Sequence, residues 1–207
     1  MLRKRQIHLD FHTSELVPVG NNFSKEQFQE NLKAGHVDSI TVFSKCHHGW
    51  SYHPTQVNEM HPQLNFDLLG AQLEACKEIN VKAPIYISAG YDEKYARVHT
   101  DHLRKHSPDA GIDFLNNAYY KLLCYNTPYL DVLCAQIVEV MERYNPCGIF
   151  LDISSPRVCY CQYCIESMRD RGLDPHNPDD ANKFADEVYM EYCRRTEASV
   201  RKYSSDA

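Results

Sequence analysis

The chain has 207 residues, 43% of them hydrophobic, and a formal net charge of −6. It is long enough to bury a core of one or two domains, and too acidic to offer the basic field that holds nucleic acid or an acidic membrane. No run approaches the ~20 apolar residues of a membrane span, and the basic start "MLRKRQ" lacks the apolar stretch of a signal peptide.

From Gln6 to His12 the pattern alternates, with Ile7, Leu9 and Phe11 on one face and His8, Asp10 and His12 on the other, which predicts a strand. Ser24 as N-cap and Gly35 as stop bound a helix. A strand follows over 37–45. A helix over 65–80 carries Phe66, Leu69, Leu73 and Cys76 at helical spacing, and a strand covers 83–88. A long irregular passage rich in His, Asp and Asn runs from about Gly90 to Asn126. Pro128 sits in the first turn of a helix over 127–144. A fourth strand is expected over 147–153, and helical segments over 165–172 and 179–203 close the chain. No internal repeat or low-complexity linker is visible.

Strand–helix alternation through four rounds implies an α/β fold with a parallel sheet and helices packed outside it. The pattern fits the first half of a TIM-type (β/α) barrel, whose eight units take about 250 residues. The preferred reading is one partial barrel domain over 1–207, cut from a longer protein. A half-barrel pairing with another copy as a homo-oligomer, or a truncated doubly wound sheet, are the alternatives. In all three the strand C-termini form the functional face.

Cys159, Cys161 and Cys164 lie in C-x-C-x-x-C spacing, close enough to turn several sulfurs onto one soft metal ion. Three ordinary thiols, or a redox C-x-x-C, are the competing readings. Nine cysteines without a secretion signal point to a reduced, cytoplasmic compartment. The runs "CYNTPYL" at 124–130 and "CYCQYC" at 159–164 resemble the two halves of the cysteine site in zinc-containing TIM-barrel β-galactosidases. The resemblance implies a structural zinc held by Cys124, Cys159, Cys161 and Cys164, with no open position for catalysis.

Directly after the second strand comes "SKCHHGWSYHPT". Two adjacent histidines cannot face one way on a strand, so His47 and His48 belong to a turn at its C-terminal rim. They read either as surface histidines or, beside Gly49, Trp50, Tyr52 and His53, as sugar-gripping groups: rings against C–H faces, imidazoles on hydroxyls. Eleven histidines and fourteen tyrosines suit that chemistry as well as ordinary packing. The stretch resembles the K-H-H-D-G-F signature of α-L-fucosidases, retaining enzymes on an irregular TIM barrel. Lys45, His47, Gly49 and Trp50 match it, while Cys46 stands for the first His and His48 for the Asp. The resemblance implies an Asp nucleophile closing the fourth strand, and "GIFLD" puts Asp152 there. It also implies a sugar-contacting His near the end of the first strand, which makes His12, with Glu15 at the rim, a candidate. Tyr86 and Tyr91 around the third strand are further candidates.

The expectation is a carbohydrate-active retaining glycosidase of α-L-fucosidase-like type, with Asp152 catalytic. Substrate contacts would come from His12, Glu15, His47, His48, Trp50, Tyr52 and Tyr86. The acid/base would come from strands beyond the fourth. The same motifs resemble a group of bacterial glycosidases of unassigned specificity. Two rivals stand beside this reading. One is a metal-dependent amide or ester hydrolase using His8, Asp10 and His12 with the His47–His48 pair. The other is a non-catalytic sugar-binding scaffold.

Overall fold

The computed structural model describes residues 3–108 and 120–204. Four strands, β1 (Gln6–His8), β2 (Ser39–Lys45), β3 (Ile85–Ser88) and β4 (Ile149–Asp152), form one sheet in the order β1-β2-β3-β4. Every neighbouring pair is parallel, with Tyr86 opposite Phe150 and Ser88 opposite Asp152. The crossovers carry helices α1 (Lys25–Ala34), α2 (Leu68–Glu78), α3 (Glu93–Val98) and α4 (Tyr129–Tyr144), and α5 (Gln162–Asp170) and α6 (Pro178–Arg201) follow β4. Helix starts follow local chemistry: Ser24 accepts the Gln27 N–H and Asp67 the Gly70 N–H, satisfying amides that the first turn leaves unpaired.

Ile40 and Val42 of β2 and Ile85 and Ile87 of β3 turn outward onto the helices, where they meet Leu32, Leu69, Leu133, Ile137 and Met141. α4 packs on α6 and α1 on α2. The opposite face carries rings instead. Phe43 stacks on Tyr86 (centroids 4.0 Å apart), Phe150 stacks on Tyr86 (5.8 Å), and His8 lies 5.5 Å from all three. Phe150 is 46% exposed there. β4 is therefore not buried on both faces. Phe150 and Asp152 share the inner face at its β4 edge, where Phe150 stays open, whereas Phe43 and Tyr86 on the same face are buried.

The first strand is shorter than its alternation predicts. Pairing with β2 ends at His8 opposite Thr41, and Leu9 is exposed. Phe11 leaves the ladder to pack on Phe43 and Tyr52, at 4.7 and 4.8 Å, so ring burial replaces the next strand hydrogen bonds. The passage from Gly90 to Asn126 is also more ordered than expected. Asp92 caps α3, and a 3-10 turn covers Thr100–His102. Positions 109–119 of that expectation lie outside the described residues. Among the described residues, no helix is long and apolar enough to cross a membrane.

Candidate active site

Asp152 closes β4 and is one-third exposed. Its Oδ1 accepts the Ile153 N–H at 2.8 Å, and its Oδ2 accepts the Tyr86 hydroxyl at 2.6 Å. Burial and then this hydrogen bond raise the Tyr86 pKa, so the phenol stays a donor. Ile153 adopts φ +58, a left-handed conformation that β-branched residues rarely take and that costs on the order of 1–3 kcal/mol. The Tyr125 hydroxyl holds its carbonyl at 3.2 Å. Gly90 passes so close that a Cβ there would meet that carbonyl at 2.3 Å.

His47 comes to Asp152 from the turn after β2, its Nε2 lying 3.9 Å from Oδ2. The Ser88 hydroxyl donates to the Tyr91 carbonyl, so it accepts from His47 Nδ1 at 2.7 Å. That fixes the tautomer, with Nδ1 protonated and Nε2 a bare acceptor. Burial first, then the neighbouring His12 ring, pushes the His47 pKa down to about 4. Two acceptors, Nε2 and the carboxylate, thus face the same small space. Among the described residues the Tyr86 hydroxyl donates to Oδ2, and none donates to His47 Nε2.

His12 stacks on His47 with centroids 3.8 Å apart. Its Nδ1 takes the His47 backbone N–H (3.3 Å), and its Nε2 meets Asp10 Oδ1 (3.1 Å). His8 approaches the same Asp10 oxygen at 3.4 Å. Both His12 nitrogens therefore have protein partners, which leaves neither free to ligate the metal of the hydrolase reading. Tyr91 and Tyr120 set their rings edge-on to His47 at 5.0 and 5.2 Å. The Tyr120 hydroxyl pairs with His48 Nε2 at 2.8 Å.

The other candidates sit apart from Asp152 in role. Glu15 accepts from Arg97 at 2.8 Å, and that guanidinium, backed more weakly by Trp50, holds its carboxyl down at about 2. The Trp50 ring faces Lys94 Nζ at 5.3 Å. Tyr52 is fully buried against Phe11, and its hydroxyl accepts the Thr13 N–H. It is a packing residue, because the turn after β2 folds it inward. Lys45 is buried as well, bonded to Asp92 (2.9 Å) and to the Tyr129 hydroxyl (3.3 Å). Sequence reasoning missed Ser88 and Tyr120. Ser88 ends β3 opposite Asp152, so the strand-end rule could have found it; Tyr120 lies in the irregular passage, where no periodicity marks it.

The four cysteines converge as a separate cluster. Cys124, Cys159, Cys161 and Cys164 are buried, unbridged, and hold their sulfurs within 4.8 Å of one another. Cys124 and Cys164 approach to 3.4 Å, near the ~3.8 Å sulfur–sulfur edge that a tetrahedral site with 2.3 Å bonds requires. Hydrogen bonds from Cys124, Cys161 and Cys164 pull the Cys159 thiol down, while Cys124 is pushed up. Four buried sulfurs gathered this closely could hold a metal ion.

Residues 24–153 match the family model described as hypothetical glycosyl hydrolase 6. No curated protein matches. Among solved structures the chain is similar to α-L-fucosidase isoenzyme 2 from Paenibacillus thiaminolyticus, with 49% identity and a TM-score of 0.94; the match covers 98% of this chain and 31% of that one. It is also similar to α-L-fucosidase AlfC from Lactobacillus casei in complex with α-L-fucose product. That match has 15% identity and a TM-score of 0.51 over 90% of this chain and 50% of that one, a likeness of fold alone. The family match spans more than half of the described site-bearing sequence, from α1 to the turn that follows Asp152. The chain belongs to the hypothetical glycosyl hydrolase 6 family.

Proposed function

We propose that this chain is the N-terminal half of a TIM-type barrel, one partial domain over 1–207, in a retaining glycosidase of α-L-fucosidase type. The observation that carries the proposal is the set at the sheet's C-terminal rim: a carboxylate held on both oxygens, beside a neutral imidazole whose free nitrogen points the same way. Support also comes from the 49% identity to a fucosidase over nearly the whole chain. The ring layer of His8, Phe43, Tyr86 and Phe150, open at Phe150, lies on the face that further strands would cover.

In this reading Asp152 attacks the anomeric carbon as the glycosidic C–O bond breaks. The leaving oxygen takes its proton from a second carboxyl group about 5–5.5 Å away, supplied from beyond the fourth strand; water then releases the sugar. Tyr86 and Ile153 N–H fix the carboxylate's direction, and His47 Nε2 accepts a sugar hydroxyl. His12 and His48 hold that imidazole turn in place, while Trp50 and Glu15 form the outer rim. Cys124, Cys159, Cys161 and Cys164 would hold a structural zinc, which would order the loops beyond β3 and β4 without touching substrate. Nine free cysteines suit a reducing, cytoplasmic compartment.

The test is covalent trapping. A 2-fluoro-fucosyl substrate with a good leaving group should leave its sugar on Asp152 of the full-length protein, read by peptide mass spectrometry. Asp152→Asn should lower turnover by roughly 10⁴-fold or more while folding is retained. Label on another residue, or near-full activity in the variant, rejects the assignment.

A further inference from the structure

At the end of α3, outside the site just described, three more ligand-type side chains converge. We propose that His99, Asp101 and His102 form a second metal site, which takes a divalent transition-metal ion through two imidazole nitrogens and one carboxylate oxygen. One ligand atom from each lies within 4.8 Å of the others. The local fold accounts for this. Thr100–His102 is a 3-10 turn, in which residues three apart project the same way, and the His99 and His102 rings lie parallel, 7° apart, with centroids at 5.2 Å.

The spacing leaves the ligand-type atoms loosely bonded to one another. His102 Nε2 is 3.5 Å from Asp101 Oδ2 and 3.3 Å from the Tyr163 hydroxyl, and that hydroxyl is 3.5 Å from Asp101. All three are longer than the 2.7–3.2 Å of a well-made bond, so the polar atoms converge while holding one another only loosely. The His102–Asp101 separation is already close to the ~3.3 Å edge of a tetrahedral site with 2.0–2.1 Å bonds. The imidazoles are oriented in advance. The Tyr95 hydroxyl lies 2.8 Å from His102 Nδ1, the atom facing away from the cluster, and its ring stacks on His99 at 4.0 Å. Ring nitrogens braced in this way are what metal-binding histidines need. The backbone is fixed too, since the Cys124 N–H donates to the His102 carbonyl at 2.9 Å. Asp101, 63% exposed, leaves a path for the ion. Two nitrogens and one carboxylate suit the borderline ions Zn²⁺, Co²⁺ and Ni²⁺, whereas Ca²⁺ and Mg²⁺ prefer all-oxygen sets.

Equilibrium dialysis against Co²⁺, with absorption spectra of the loaded protein, separates this site from the cysteines, because thiolate ligation alone gives a sulfur-to-cobalt charge-transfer band. The unaltered chain should hold one equivalent that carries the band and one that does not. His99→Ala and Asp101→Asn, both outside the buried core, should each lose the second equivalent and keep the first. Tyr95→Phe should weaken the second roughly 10–100-fold. A chain that binds only the band-free equivalent, lost in His99→Ala, still supports the proposal and instead removes the cysteine reading. Absence of any band-free equivalent, or its survival in both variants, overturns it.

Discussion

Asp152, Tyr86 and His47 make the residue-scale predictions. Tyr86→Phe removes a donor at 2.6 Å from the carboxylate while keeping the ring stack with Phe43 and Phe150. A hydrogen bond to a charged group contributes about 1.5–3 kcal/mol, so under the proposed function kcat/KM of the full-length protein on an aryl fucoside should fall roughly 10–150-fold with Tm little changed. His47 offers a pH test. Its pKa is about 4 folded and 6.5 unfolded, so between those values the unfolded chain binds the extra proton. Stability from this group is complete above about pH 6.5 and lost as pH falls toward 4, amounting to about 3 kcal/mol at most. Urea unfolding from pH 7 to 4 should show a shallower decline for His47→Gln than for the unaltered chain. At this scale the places of Asp152 and His47 at neighbouring strand ends were legible, since a strand-end acid and a post-strand histidine stand out against apolar runs. The misplacement of Tyr52 was not avoidable, because two neighbours in sequence can point to opposite sides of a turn.

Elements set the stakes where strand ends meet the loops. β3 and β4 finish side by side, and Gly90 lies against the left-handed Ile153 that aims Asp152. Gly90→Ala puts a methyl into the Ile153 carbonyl, so β4's end must shift. The expected cost is about 1–3 kcal/mol by chemical denaturation, and the activity loss should exceed what that stability loss explains. The turn after β2 is braced by Lys45 and Asp92, both buried, and Gly49 at φ +92 leaves room for the Asp92 carboxylate. Lys45→Met should cost about 3–5 kcal/mol by stranding Asp92. Adding Asp92→Asn, which still caps α3 at Tyr95, should restore most of it. A double variant no more stable than the single one would contradict this account. The strands and helices themselves were readable from periodicity and caps; α3 and the 3-10 turn were not, being too short to show a period.

For the whole molecule the cysteine cluster ties the start of α4 to the loop and helix after β4. Chelation, or Cys161→Ser, should remove one equivalent of zinc and lower Tm, at roughly 2–4 °C per kcal/mol of lost binding energy for a chain of this size. Unchanged Tm after complete metal removal would show that the thiols hold the loops unaided. By itself the sequence determined the alternation of strands and helices, the parallel sheet, the C-x-C-x-x-C triplet and the acid at the end of β4, because each follows from local spacing, whereas Cys124 joined the cluster only through a family resemblance. The tertiary structure alone decided that Phe150 lies on the open inner face and that His47 keeps Nε2 bare through Ser88. It alone stacked His12 on His47 and brought Tyr163 beside Asp101 and His102. Those outcomes depend on which strands neighbour one another and on how buried donors divide the available acceptors, and contacts between residues far apart in the chain leave no trace in local periodicity.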